Sequence, residues 1–457
     1  NALEKTLPKY RIVLCNPPFE DFNEHERNQY GNRLQSVHKP YEILRRVLDI
    51  PPAMMGFVLP KSAIIGGRYD DLQSRIAGHY TNIETVALPD RVFAFSDQET
   101  MLVMASRLDP EKDISVFTKT TWVREKDRQP FLEAGHLPES IKKTTSREVI
   151  QKAHKDLWNP PLWEVFEYLS EYLPLKDIAD VHRGIEWNIP LDENRNILIS
   201  DKSKPKFMKG IDKVPGKLEQ YWAQNFVYLN MDDRFRRTRA HFHPWRKPKV
   251  IINGHVLRRG PWRMAGFPDN EGLVCNQNLI GIWPTSHYGV EVIASLINSP
   301  VINSILFIKE GKWRNRVQTI KACPTPFVPE VSQKRITQLV REYQNLRKIY
   351  QSDYDRESVV KECEEKLRKI DSIVLESYDL PPRFERKLLD FFKGYSRPVA
   401  FPFPDYFPAD FKPCIPLYQY LEMDMKKVSA GELLKRIEPI DSEVIHEFVR
   451  DLEEMQA

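Results

Sequence analysis

A chain of 457 residues is long enough for roughly two to four domains. With 41% hydrophobic and 29% charged residues it fits an ordinary globular protein, and its net charge of +4 is too small to argue nucleic-acid binding without a local clustering of cations. The five cysteines (Cys15, Cys275, Cys323, Cys363, Cys414) form no CxxC pair. That weighs against a zinc site or a disulfide framework and fits a reducing cytoplasm. No apolar run approaches membrane-spanning length, and no signal peptide precedes the first strand. In chain order, Arg11–Cys15 reads as a short buried strand, stopped by Asn16-Pro17-Pro18. Glu20 to Arg27 reads as a charged loop, and Ile43, Leu44, Val47 and Leu48 sit at helical spacing. Met54–Pro60 is a second strand, Tyr69–Ala77 a helix, Asn82–Leu88 a third strand and Thr100–Ala105 a fourth.

The stretch Asn16-Pro17-Pro18-Phe19 carries the sharpest chemistry. Two prolines cannot join a sheet ladder, and each restricts the residue before it to extended conformations. Asn16 is therefore expected to stand rigidly at a strand's carboxyl end, where open α/β sheets bind ligands. These four residues resemble the catalytic motif of DNA adenine methyltransferases that use S-adenosylmethionine. The resemblance implies that the Asn16 side-chain oxygen and the Pro17 carbonyl accept from the 6-amino group of an extruded adenine. Those contacts favour a more tetrahedral, more nucleophilic nitrogen, with Phe19 stacked on the base. It makes Asn16, Pro17, Pro18 and Phe19 the expected catalytic set. A plain strand-to-turn junction is the competing reading, because Asn and Pro are common turn formers.

The family's glycine-rich cofactor turn lies upstream of this motif, and only fifteen residues precede Asn16. The chain is therefore expected to be the C-terminal portion of a longer protein, or half of a split one, with the missing methyltransferase half as a partner. The implied fold class is α/β: the C-terminal half of a Rossmann-like methyltransferase sheet, followed by an α+β target-recognition domain and a helical C-terminal region. The short Phe93–Glu99 connection fits a hairpin, with one of the last two strands antiparallel. The Arg11–Cys15 edge would be bare in such a fragment. A partner chain, a dimer mate or the chain's own C-terminal part is expected to cover it.

Residues 107–160 read as a charged connector, with a strand at Ser115–Phe117 and a short helix over Glu148–Leu157 closed by Asn159-Pro160-Pro161. A helix over Trp163–Tyr172 follows. The run Leu175–Ile185 resembles the opening of target-recognition domains in DNA methyltransferases and type I specificity subunits. Strands are expected at Phe226–Leu229, Lys249–Ile252, Gly272–Cys275 and Ile280–Trp283, and a helix at Ile293–Ser299. Cations gather here. A lysine group runs from Lys202 to Lys217, and a second group includes Arg234, Arg236, Arg237, Arg239, Arg246, Lys247 and Lys249. Arg258, Arg259 and Arg263 surround Trp262, and Tyr221, Trp222, Phe242 and Trp245 are interleaved. Planar guanidinium groups suit phosphate and guanine recognition. The expected contacts to double-stranded DNA are Arg183, Arg234, Arg236, Arg237, Arg239, Arg246, Lys247, Arg258, Arg259, Trp262, Arg263, Arg314 and Arg316. His241, His243 and His255 lack a paired carboxylate or cysteine pattern, so no metal site is expected there.

The C-terminal third reads as helical. Ile336 to Tyr350 and Val359 to Val374 repeat at helical spacing and predict an αα-hairpin. Phe384–Phe392 predicts another helix, Arg397–Pro416 an extended proline- and aromatic-rich segment, and Gly431–Met455 a terminal helical pair. The expected domains are a partial catalytic domain at 1–125, a connector at 126–161 and target recognition at 162–330. A helical spacer at 331–394 and a terminal segment at 395–457 complete them. The leading expectation is adenine methylation within a type IIG-like restriction–modification enzyme, in a prokaryotic cytoplasm. The alternatives are a DNA-specificity module without catalysis, or a methyltransferase acting on protein glutamine or RNA.

Overall fold

The computed structural model describes residues 7–63, 69–89, 92, 99–109, 116–123, 127–135, 146–151, 162–212, 218–257, 260–310, 314–351, 356–403 and 406. Arg258, Arg259, Lys213, Lys217, Asn159–Pro161, most of Phe93–Glu99 and the Gly431–Met455 pair lie outside the described residues. The chain forms two compact units, 1–163 with 308–312, and 164–307 with 313–457.

The first unit is a mixed six-stranded sheet. Its strands are β1 (Ile12–Cys15), β2 (Met54–Pro60), β3 (Tyr80–Ala87), β4 (Thr100–Leu108), β5 (Val116–Trp122) and β6 (Ser146–Gln151), in the spatial order β1-β2-β4-β3-β5-β6. β1 pairs parallel with β2, and β3 parallel with β5, while β4 runs antiparallel between β2 and β3. The carboxyl ends of β1, β2, β3 and β5 therefore share one end of the sheet. Helices α1 (Glu24–Tyr30), α2 (Lys39–Asp49) and α3 (Asp70–His79) connect the early strands. Leu44, Val47 and Leu48 of α2 and Leu72, Ile76 and Ala77 of α3 bury the sheet face that carries Met55, Phe57, Leu59, Val103 and Ile83. The periodicity of three to four in both helices is what aims these side chains at one face.

Three expectations fail in this unit. Glu148–Gln151 is not helix: it belongs to β6, which pairs antiparallel with β5. The open edge of β5 supplies a ladder for its backbone groups, and such tertiary pairing overrides local propensity. β1 is also not a buried strand: it has one ladder partner, β2, among the described residues, and Ile12 and Leu14 are 59% and 81% exposed. Glu20–Arg27 is not a plain charged loop either. Asn23 and Glu26 form a capping box, with Glu26 N–H on Asn23 Oδ1 at 2.9 Å and Asn23 N–H on Glu26 Oε2 at 2.8 Å, and α1 follows.

The second unit holds two four-stranded sheets. One is antiparallel throughout: β7 (Ala179–Arg183), β8 (Lys249–Asn253), β9 (Gly266–Asp269) and β10 (Leu279–Pro284), in the order β9-β8-β10-β7. The other joins Ile199–Ser200, Val227–Asn230, Phe207–Ile211 and Val274–Cys275. Their shared core includes Ile185, Trp187, Leu229, Trp245, Ile251, Cys275 and Trp283. α4 (Val290–Asn298) is buried on every side, which its run of Val, Ile, Ala and Leu dictates. Helices α5 (Glu330–Gln351) and α6 (Arg356–Ser377) form the expected αα-hairpin, with Leu339, Val340 and Tyr343 buried beside Cys363, Leu367 and Ile370. Lys366 Nζ meets Glu342 Oε2 across this hairpin. Arg397 lies fully buried, bidentate to Asp371 (2.6 and 3.1 Å) and bonded to Gln220. No single helix among the described residues is long and apolar enough to cross a membrane.

Candidate functional site

The corner after β1 is built from the sequence upward. β1 ends at Cys15, opposite Phe57 of β2, and the diproline stops further pairing. Pro17 is buried, Phe19 is half-buried, and Asn16 and Pro18 are exposed. Asn16 thus stands at the carboxyl end of a parallel strand, with its side chain open to solvent and the next residue anchored in protein. At the same sheet end, Lys61 follows β2. Its ammonium lies 3.7 Å from Glu99 and 4.9 Å over the Trp122 ring.

The segment behind Phe19 is a braced pad. Phe22 N–H donates to Val37 O at 2.8 Å, Lys39 N–H donates to Glu20 O at 3.2 Å, and His38 meets Asp21 at 2.7 Å. Phe22 and Tyr30 pack edge to face at 5.9 Å. The buried Glu42 carboxylate accepts from the backbone N–H groups of Gln35 and Ser36 at 2.6 and 2.7 Å. Lys39 hydrogen-bonds Glu20 first and then Glu26, which raises its pKa, and the Lys39 contact holds the Glu26 carboxyl below its ordinary value. These bonds fix both ends of the loop that carries Phe19 into α1.

In the second unit the cationic stretch forms a rim, and its members divide. Arg234, Arg236, Arg237, Arg239, Arg246 and Lys247 are exposed, and so are Arg314 and Arg316, while Arg183 is half-exposed on β7. Asp232, which is buried, receives Arg234 Nε at 3.0 Å and Nη2 at 2.8 Å, then Lys206 Nζ at 3.0 Å. Those bonds hold its carboxyl well below the usual carboxylate range. Arg237 pairs with Glu186 at 3.0 Å, and Arg236 lies 3.7 Å from Asp233. Arg239, Arg246 and Lys247 have no ion-pair partner among the described residues.

The rim backbone is tied down from within. Trp187 Nε1–H donates to Asn230 O at 2.9 Å, Trp245 Nε1–H to Ala240 O at 2.8 Å, and Trp283 Nε1–H to Pro244 O at 3.1 Å. Lys249 Nζ donates to Trp245 O at 2.6 Å and to Asp269, with both side chains fully buried. Burial pushes the Lys249 ammonium down in pKa, against the pull of Asp269. Asp269 also accepts from the N–H groups of Glu271, Gly272 and Leu273, at 2.8, 3.1 and 2.8 Å. Gly272 has φ +80° there, a conformation that glycine adopts without strain.

Three expected members of the basic surface are internal. Trp262 is 1% exposed, packed 4.3 Å from the Phe392 ring with the Arg397 guanidinium 4.6 Å above it. Arg263 is 2% exposed, and its Nε–H donates to Asn315 Oδ1 at 3.2 Å. Its neighbours are pinned by buried asparagines: Asn303 Oδ1 accepts from Arg263 and Met264 N–H, and Asn253 Oδ1 from Ala265 N–H. Lys249 is the third. A tryptophan buries a large apolar area, and that area outweighs any surface role its charged neighbours suggest. Tyr221 and Trp245 are buried too, so of the interleaved aromatics Phe242 is the exposed one, at 65%.

His182, His241, His243 and His255 are partly or wholly buried. His182 and His243 stack at 4.1 Å beside Trp283, and burial lowers the pKa of both. His241 is buried, neither ring nitrogen has a hydrogen-bond partner among the described residues, and burial lowers its pKa as well. Residue-by-residue reading missed the acids that organise these regions, Glu42, Asp232 and Asp269. Two signals were present: Asn23 three residues before Glu26, and Asp269 ahead of the Asn-Glu-Gly turn.

No family model and no curated protein matches the sequence. Similar solved structures include restriction–modification enzymes. The type IIL restriction-modification enzyme MmeI in complex with DNA is 12% identical, over 83% of this chain and 56% of that one, with TM-score 0.49. The type IIG restriction endonuclease BpuSI is 10% identical, over 81% and 54%, with TM-score 0.32. The DrdV–DNA complex is 9% identical, over 74% and 44%, with TM-score 0.44. The chain spans about half the length of these structures.

Proposed function

We propose that this chain carries the catalytic corner and the DNA-recognition part of a restriction–modification DNA adenine methyltransferase. The observation that carries the reading is Asn16: exposed at the carboxyl end of a parallel strand, directly ahead of the buried Pro17. The Asn16 Oδ1 and the Pro17 carbonyl serve as the two acceptors for the 6-amino group, and the stiff diproline keeps their reorganisation small. Phe19 offers a face for the extruded base. The sheet order β1-β2-β4-β3, with β4 reversed, agrees with the second half of a Rossmann-like methyltransferase sheet. The methyl donor in this reading is S-adenosylmethionine. Among the described residues, no glycine-rich strand-to-loop turn supplies a cradle for it, so the chain contributes the acceptors for the amine and a partner segment contributes the cofactor site. The open edge of β1, with Ile12 and Leu14 exposed, is where that segment would add.

The arginine rim provides the duplex contacts, where phosphate neutralisation gives affinity and a few guanidinium groups read base edges. The test is binding of the purified chain to duplex DNA as a function of salt. Duplex binding that weakens steeply with salt supports the reading. Indifference to duplex DNA at low salt overturns it. A binding module without catalysis is separated by Asn16→Ala in the complete gene product, which abolishes methylation only if the corner is catalytic.

A further inference from the structure

Phe242 is unusual among the large apolar side chains of the second unit, because its exposure sits inside a braced cationic rim. It ends a short 3-10 turn over Arg239–Phe242, where Ala240 and His241 on the same turn are buried. Indole donors hold the backbone on either side of it, from Trp245 to Ala240 O and from Trp283 to Pro244 O. Thr238 Oγ1 accepts from Ala240 N–H, and Pro244 follows two residues after the ring. The turn therefore cannot easily fold Phe242 inward, and the side chain is 65% exposed. The Arg236 guanidinium lies 4.4 Å from the ring centroid, and Arg237, Arg239, Arg246 and Lys247 are exposed nearby in sequence.

We propose that Phe242 is a wedge that stacks against the bases of duplex DNA at an opened base step, while the surrounding guanidinium groups hold the flanking phosphates. This rests on the DNA-binding reading above and assigns one side chain a distinct part in it. An exposed apolar side chain with a guanidinium over one face, in a stretch of further exposed cations, matches what base unstacking requires. The phosphates dock the rim by charge, and the ring replaces the stacking that a separated step loses. Arg236 over one face of Phe242 keeps the ring upright and leaves its other face for a base. Phosphate docking alone needs no exposed aromatic. An acidic protein partner would also suit the cations, so that outcome belongs to the test.

The experiment compares the full chain with Phe242→Ala, Phe242→Trp and Arg239→Ala. Binding to a mixed-sequence duplex is measured across a salt series, together with end-to-end energy transfer to report bending. Phe242→Ala is expected to weaken binding about tenfold, as loss of one stacked base does, and to abolish the bend while leaving the salt slope unchanged. Phe242→Trp retains both affinity and bend. Arg239→Ala lowers the salt slope by about one with the bend retained. If the duplex binds and bends equally well with Phe242→Ala, the wedge is overturned and the DNA-binding reading survives. If the unmodified chain ignores duplex DNA yet binds polyglutamate, both are overturned.

Discussion

The Asn16 corner and the Arg234–Lys247 rim both hold polar groups out to solvent, but they are stiffened by different means. At the corner the stiffness is covalent: two proline rings fix the backbone after β1, and four consecutive residues suffice. At the rim it is tertiary. The indoles of Trp187, Trp245 and Trp283, the Asp232 carboxylate and the buried Lys249–Asp269 pair come from segments spread over about a hundred residues. A covalently stiffened site announces itself in a short motif. A site stiffened by long-range hydrogen bonds does not, and its composition misleads about which members face outward.

Changes that release one kind of stiffness without touching the other sharpen this contrast. The largest effect is expected for Asp269→Ala. It strands the buried Lys249 ammonium and three backbone N–H groups, and is expected to cost about 3–5 kcal/mol of second-unit stability. Urea unfolding followed by tryptophan fluorescence measures it, and a midpoint unchanged from the unsubstituted chain would remove the pair from the account. Next comes Arg237→Ala against Arg239→Ala. Arg237 is already paired with Glu186, whereas Arg239 has no ion-pair partner among the described residues, so Arg239→Ala is expected to cost more duplex affinity, by severalfold. Equal losses in a salt titration would show that the pre-paired and unpaired cations are equivalent.

Smaller is the pH effect of the buried histidines. His182, His241 and His243 have folded pKa values depressed mainly by burial, below about 6.5 for an unfolded histidine. Between the unfolded and the lowered folded values the unfolded chain binds more protons, so stability falls as pH drops through that window and is unaffected above it. His241→Phe is expected to flatten part of the loss between pH 7 and pH 5. Thermal midpoints of the two chains at both pH values check the sign. The smallest effect is on the corner itself: Asn16→Ala is expected to leave stability within about 0.5 kcal/mol, because the residue is exposed. A large drop in the first unit's midpoint would mean that Asn16 is a structural turn residue.

What the sequence made legible follows the same division. The strands Met54–Pro60 and Thr100–Ala105 (Thr100–Leu108 in the structure), helix α2 and the αα-hairpin could be read from periodicity, since each buries one regular face. β6 could not, because its state depends on the open edge of β5, more than twenty residues away. Nor could the fate of Trp262, Arg263 and Lys249. Their burial depends on Asn253, Asn303, Asp269 and Arg397, none of which is adjacent in the chain. Phe242 ends a 3-10 turn and is exposed, whereas Trp245, three residues on, is buried with its indole on Ala240 O, and that is a property of the folded loop.

The central claim is that the Asn16 corner acts on the amino group of adenine. It is tested most directly by incubating the complete gene product with labelled S-adenosylmethionine and duplex DNA, then digesting the DNA and identifying the labelled nucleoside. The account predicts N6-methyladenine, reduced at least a hundredfold by Asn16→Ala with duplex affinity unchanged. Label on cytosine or on protein, or adenine labelling indifferent to Asn16→Ala, would contradict it.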